Sequence, residues 1–171
     1  MSGVPMITIR AVAAIAAALL VSCTRGSAGV WPQIPQSAEE ELAEKAIRYL
    51  ETQFPLTRPG MTAIGLNEMR RVPPGGSASS AMSLQSQQRV ATAVNLPLRS
   101  ETDPCALPQG ANNFKVHIDS VRASQAMVWA ENYQRGLGGW GSAVHELRFE
   151  KGPQGWRIAG VARVWHFDGG C

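Results

Sequence analysis

Residues 143–167, AVHELRFEKGPQGWRIAGVARVWHF, decide the fold. Ala143 to Phe149 alternates apolar and polar side chains, the period of a strand with one buried face. Lys151-Gly152-Pro153-Gln154-Gly155 is a run of turn residues. Trp156 to Phe167 then continues as a long last strand. The same pattern lies upstream. Phe114, Val116 and Ile118 alternate with Lys115, His117 and Asp119, and Met127 to Tyr133 reads as a second strand. Four strands in sequence with short connections make an antiparallel meander.

A helix precedes the meander. Ser37 with Glu40 three residues later is a capping-box pattern. Leu42, Ala43, Ala46, Ile47, Leu50 and Phe54 then recur at helical spacing and form one apolar stripe. Glu41–Lys45 and Glu44–Arg48 are favourable i,i+4 pairs, and Pro55 ends the run. Glu39, Glu40 and Glu41 read as a solvated helix start that suits the positive end of the dipole. Within residues 55–79, MTAIG (61–65) is a candidate short strand and Pro73-Pro74-Gly75-Gly76-Ser77 a loop. In residues 80–94, Leu84, Val90, Ala91 and Val94 have near-helical spacing, while Val90, Thr92, Val94 and Leu96 alternate as a strand would. A helix ending near 94, followed by extended Leu96-Pro97-Leu98, is the preferred reading. The expected fold class is α+β: one or two N-terminal helices packed on a curved antiparallel sheet of four or more strands, in a single domain over residues 37–171.

The segment HELRFEKGPQGWRIAGVARVW (145–165), in which Gly155-Trp156-Arg157-Ile158 opens the last strand, resembles the nuclear transport factor 2-like (cystatin-like α+β) fold. That resemblance implies helices packed into a concave sheet, with room for a pocket. The family includes isomerases, dehydratases, cyclases and domains with no activity, so shape alone transfers no function. Active members use Asp, His and Tyr groups inside the cavity.

The N-terminus carries an export pattern. Ala11 to Ser22 reads AVAAIAAALLVS, without charge, behind Arg10, and no acid precedes Glu39. A basic flank, a short apolar core and small residues at its end make a secretory signal, too short to span a bilayer. Translation from Met1 or from Met6 fits equally. Leu20-Val21-Ser22-Cys23 resembles the lipobox of bacterial lipoproteins. The resemblance implies cleavage before Cys23, acylation of that cysteine, and anchoring by more than one chain. Ordinary cleavage after Ser27-Ala28-Gly29, giving a soluble periplasmic protein, is the alternative. Thr24, where an aspartate would favour the inner membrane, favours the outer one. Residues 1–22 are thus the expected signal peptide, and 23–36, rich in Gly, Ser and Pro, a flexible tether.

Loss of residues 1–22 removes Arg10 and no acid, so the net charge falls from +3 to +2. The basic residues are scattered, with Arg70-Arg71 the one adjacent pair, which argues against a nucleic-acid surface. The three cysteines fit an exported protein. With Cys23 lipidated, Cys105 and Cys171 are left as a pair, read as a disulfide in an oxidising compartment, with free thiols or a metal role as the competing readings.

No strong catalytic or cofactor motif stands out. Gly136-Leu137-Gly138-Gly139-Trp140-Gly141 fits G-x-G-x-x-G, but a strand follows it where a dinucleotide site needs a helix. It reads as a hairpin loop, with Trp140 folded back on the sheet. His117, His145 and His166 lie on three strands without metal-ligand spacing, so no metal is expected. The catalytic candidates are His117 and Asp119, which share one strand face, with Glu131 and Tyr133 on the neighbouring strand. Phe114, Val116 and Ile118 claim the other face for the core, so His117 and Asp119 are expected to face solvent. The functional expectation is an envelope lipoprotein of no specified role, a non-catalytic binding or accessory module whose partner is a periplasmic or envelope protein, with no cofactor. The alternative is a small cavity enzyme of the isomerase or dehydratase type acting on a hydrophobic molecule.

Overall fold

The computed structural model describes residues 36–55, 61–66, 82–99 and 104–171. The signal, lipobox and Cys23 assignments, most of the tether and the 73–77 loop lie outside these residues. Helix α1 spans Ala38–Gln53 and strand β1 Thr62–Leu66. Helix α2 (Leu84–Val94) follows, then a 3-10 turn, Pro104–Ala106. Strands β2 (Asn112–Val121), β3 (Gln125–Arg135), β4 (Gly139–Gly152) and β5 (Gly155–Gly170) complete the chain. Gln36–Cys171 make one compact unit.

Each element follows from its residues. Ser37 Oγ accepts the Glu40 N–H at 3.2 Å and caps α1. Leu42, Ala43, Ala46, Ile47 and Leu50 are fully buried along its stripe, each large side chain worth about 2 kcal/mol relative to exposure. Ser83 caps α2 in the same way, and Asn95 ends it in the left-handed region at φ 57°. Gly136-Leu137-Gly138 joins β3 to β4 as a hairpin loop, and the turn at 153–154 joins β4 to β5.

The five strands pair in the order β1-β2-β3-β4-β5, and the sheet is open. β2 to β5 form the expected antiparallel meander. Two features depart from the sequence expectation. β1 pairs with β2 in parallel, so the sheet is mixed. The two helices do not both precede the sheet, because β1 falls between them. The reason is geometric: parallel neighbours need a crossover, which α2 and residues 95–99 supply. Those residues also dress the outer edge of β1, where Ile64 N–H donates to Pro97 O and Arg99 N–H to Ile64 O, both at 2.9 Å.

One face of the sheet carries both helices. Phe114, Val116, Ile118, Val128, Ala130, Leu147 and Phe149 pack there against α1 and α2 in a single core. Bulges at Asp119 in β2 and at Ala159 and Ala162 in β5 bend the strands over that core.

The acidic helix start is not the solvated feature expected. Glu40 is only 1 % exposed and takes the Arg89 guanidinium of α2, which donates Nε–H to both carboxylate oxygens at 3.1 Å. Glu41 accepts the backbone N–H of Trp156 at 2.8 Å. Two of the three acids therefore staple α1 to its neighbours. Lys45 and Arg48 make the expected i,i+4 pairs with Glu41 and Glu44, each at 3.6 Å.

Candidate functional site

Strand pairing sets out a site on the helix-bearing face. Directly paired residues point to the same side of an antiparallel sheet. Asn132, Ala143 and His166 form one row across β3, β4 and β5, on the side of Phe114. Gln134, Gly141 and Asp168 form the next row. β4 thus contributes only a methyl group and a hydrogen between longer polar side chains on either flank. The result is a trough of about 850 Å³ floored by Gly141 and Ala143. Its walls are about 10 Å apart, two strand spacings.

The helix closes one end. In the preceding row β4 carries His145, paired with Ala130 and Val164. Tyr49 of α1 shares a hydrogen bond with His145 Nδ1 at 2.9 Å. Phe54, at the end of α1, meets the same ring edge to face at 5.7 Å and lines the trough. Burial, and then the nearby His166, hold the His145 imidazole below its usual range, so it stays neutral. Burial pushes the Tyr49 hydroxyl up. The other end opens at Gly139 and Gly170, which pair at the sheet margin.

Asn132 is the most constrained polar group of the trough. It is 5 % exposed, and its Oδ1 meets no donor among the described residues. A buried acceptor without a donor costs about 1–3 kcal/mol relative to a satisfied one. His166 and Asp168 are exposed on the opposite wall.

The sequence candidates fall elsewhere. His117 and Asp119 on β2 and Glu131 and Tyr133 on β3 are not among the trough residues. His117, Glu131 and Tyr133 share the face turned away from the helices, and Asp119 is the extra residue of the β2 bulge. His117 is 7 % exposed, not solvent-facing as expected, because its ring stacks on Trp129 at 5.6 Å. Glu131 stands opposite Lys115, both buried, and Tyr133 packs on Trp140 at 5.4 Å. None of these four lines the trough. Trp140 folds back on the sheet as its position in the hairpin suggested.

Cys105, in the 3-10 turn, and Cys171 form a disulfide with Cα atoms 5.6 Å apart. Among the described residues no three His, Cys, Asp or Glu side chains converge on a metal position. No helix of those residues is long and apolar enough to cross a membrane.

Asn132, Gln134 and Asp168 were invisible as a site in the sequence, and His145 and His166 were weighed only as metal ligands. The usable signal was the small pair Gly141 and Ala143 at i,i+2 in an otherwise bulky strand, which leaves space on one face. Comparisons with protein-family models, curated proteins and solved structures gave no match.

Proposed function

We propose that this chain is an envelope lipoprotein whose nuclear transport factor 2-like domain is a non-catalytic binding module. In this reading Cys23 is acylated, residues 23–36 are the tether, and the domain stands on the periplasmic side of the outer membrane. Its partner is a periplasmic or envelope protein. The observation that carries the binding role is the trough: an open channel on the sheet with a buried amide oxygen on its wall awaiting a donor. Pockets with a few convergent polar groups are the usual binding sites of such folds. The N-terminal pattern supports the location, since a short apolar core ending in Leu20-Val21-Ser22-Cys23 is what lipoprotein export requires.

A second reading has one observation in its favour. His145, neutral and bonded to Tyr49, is the kind of group that a small cavity enzyme uses for proton transfer.

Two measurements test the proposal. Labelling cells with radioactive fatty acid is expected to mark the wild type and not Cys23→Ala; absence of label in both ends the lipoprotein assignment. A photo-crosslinking residue at Gln134 is expected to give a discrete protein adduct in cells, whereas one at Arg157, far along β5, is not. No adduct from Gln134 removes the trough as the binding surface. The enzyme reading requires instead that Tyr49→Phe and His145→Gln abolish function while the chain stays folded.

A further inference from the structure

We infer that the trough holds the cationic side chain of a lysine or arginine presented by the partner. This rests on the binding reading above and specifies its chemistry. The trough is rich in acceptors. Asp168 supplies a carboxylate that none of the ion pairs between described residues uses. Asn132 supplies the buried Oδ1 that meets no described donor, and Gln134 adds a second carboxamide. No lysine or arginine lines the trough among the described residues; His166, beside Asp168 on β5, is the one other titratable lining group.

A ligand must therefore bring donors. Lysine offers three and arginine five, and neither side chain accepts. An acidic group would meet the Asp168 carboxylate with no lysine or arginine on either wall to offset it. A purely apolar group would leave Asn132 Oδ1 buried and unsatisfied. The dimensions agree. A channel about 10 Å across admits one long unbranched side chain, whose methylene stem packs over Ala143 and against Phe54 while its head reaches Asp168 and, once the Asn132 amide turns outward, its buried Oδ1.

The test is an NMR titration of the full-length chain in detergent at pH 8, followed through the Gly141 and Ala143 amides and the Asn132 side-chain amide. The probes are the N-acetyl methylamides of lysine, arginine, norleucine and glutamate. The lysine and arginine probes are expected to shift these signals saturably, the other two not. Asp168→Asn, an exposed and structurally benign change, is expected to weaken the lysine probe about three- to fivefold, the size of one exposed ion pair. Asn132→Asp is expected to strengthen it. Equal shifts from the norleucine or glutamate probe overturn the cation assignment while leaving the trough a binding site. Affinity unchanged in Asp168→Asn, or no shift from the lysine and arginine probes, overturns it as well. The binding reading itself fails separately, by loss of the Gln134 crosslink.

Discussion

The Glu41 carboxylate and the Trp156 amide N–H, 115 positions apart in the chain, meet at 2.8 Å and tie the first turn of α1 to the start of β5. Gly155 makes the contact possible. Its φ is +93°, a region side chains disfavour, and a Cβ there would collide with the Glu41 carboxylate. The Gly155-Trp156 step that opens the last strand is thus a docking point for the helix, not only a turn.

Gly155→Ala is expected to destabilise the domain by more than 1 kcal/mol, because the positive φ strains any side chain and the Glu41 carboxylate must shift from the Trp156 N–H. Glu41→Ala, which leaves the N–H of buried Trp156 without its acceptor, is expected to cost about 1–3 kcal/mol. Urea unfolding followed by tryptophan fluorescence measures both. Neutral behaviour of Glu41→Ala would show that the α1–β5 contact does not form.

Glu40 gives the domain a dependence on acid. The Arg89 guanidinium holds its carboxyl below the usual carboxylate range, with smaller help from Ser86 and Ser37, against the opposing effect of burial. A carboxyl of depressed affinity binds fewer protons folded than unfolded. Its contribution is complete above its ordinary value of 4.5 and is lost as pH falls through the lower folded value. Glu40→Gln is therefore expected to lower the urea midpoint at pH 7 and to approach the wild type near pH 3. A constant difference across that range would exclude the linkage.

The meander was legible because each of its strands alternates over a core that the helices cover on one face only. The α1 stripe was legible for the same reason. Long-range partners were not. The capping pattern at Ser37 correctly placed the hydroxyl on the Glu40 N–H, but the Glu40 side chain leaves its own helix for Arg89, a residue no local rule selects. Leu84 fits the apolar spacing of α2 and is nevertheless 75 % exposed, because the first turn of that helix overhangs the core. The trough depends on cross-strand register, which brings Asn132, Ala143 and His166 into one row. Alternation gives a residue its face but not its neighbour across the sheet.

The disulfide is expected to matter most at the end of β5. Cys171 follows the last residue of the longest strand, which also forms one wall of the trough. Closing a loop of separation 66 constrains the unfolded chain by about 4 kcal/mol in the chain-entropy account. Cys105→Ser with Cys171→Ser, or reduction, is expected to lower unfolding free energy by about that amount and to speed amide exchange at 166–170 more than at 114–118. Uniform exchange acceleration would mean that the bond does not hold that edge in place.

His145 provides the last prediction, and its sign separates a neutral buried imidazole from a charged one. Burial, followed by repulsion from His166, lowers its proton affinity from the ordinary 6.5. Between the folded and unfolded values the unfolded chain binds the extra proton, so stability rises with pH there. The stabilisation is complete above about pH 6.5 and declines as pH falls through the folded value. Protonation would place a charge between Tyr49 and Phe54. His145→Gln, which keeps an amide for Tyr49 and cannot titrate, is expected to flatten the fall in stability between pH 7.5 and 5 that the wild type shows. The imidazole carbon-bound proton signals of the wild type are expected to report His145 as neutral at pH 6.5 while the chain is folded. A protonated His145 at that pH would reverse the slope and remove the buried Tyr49–His145 pair as the closed end of the trough.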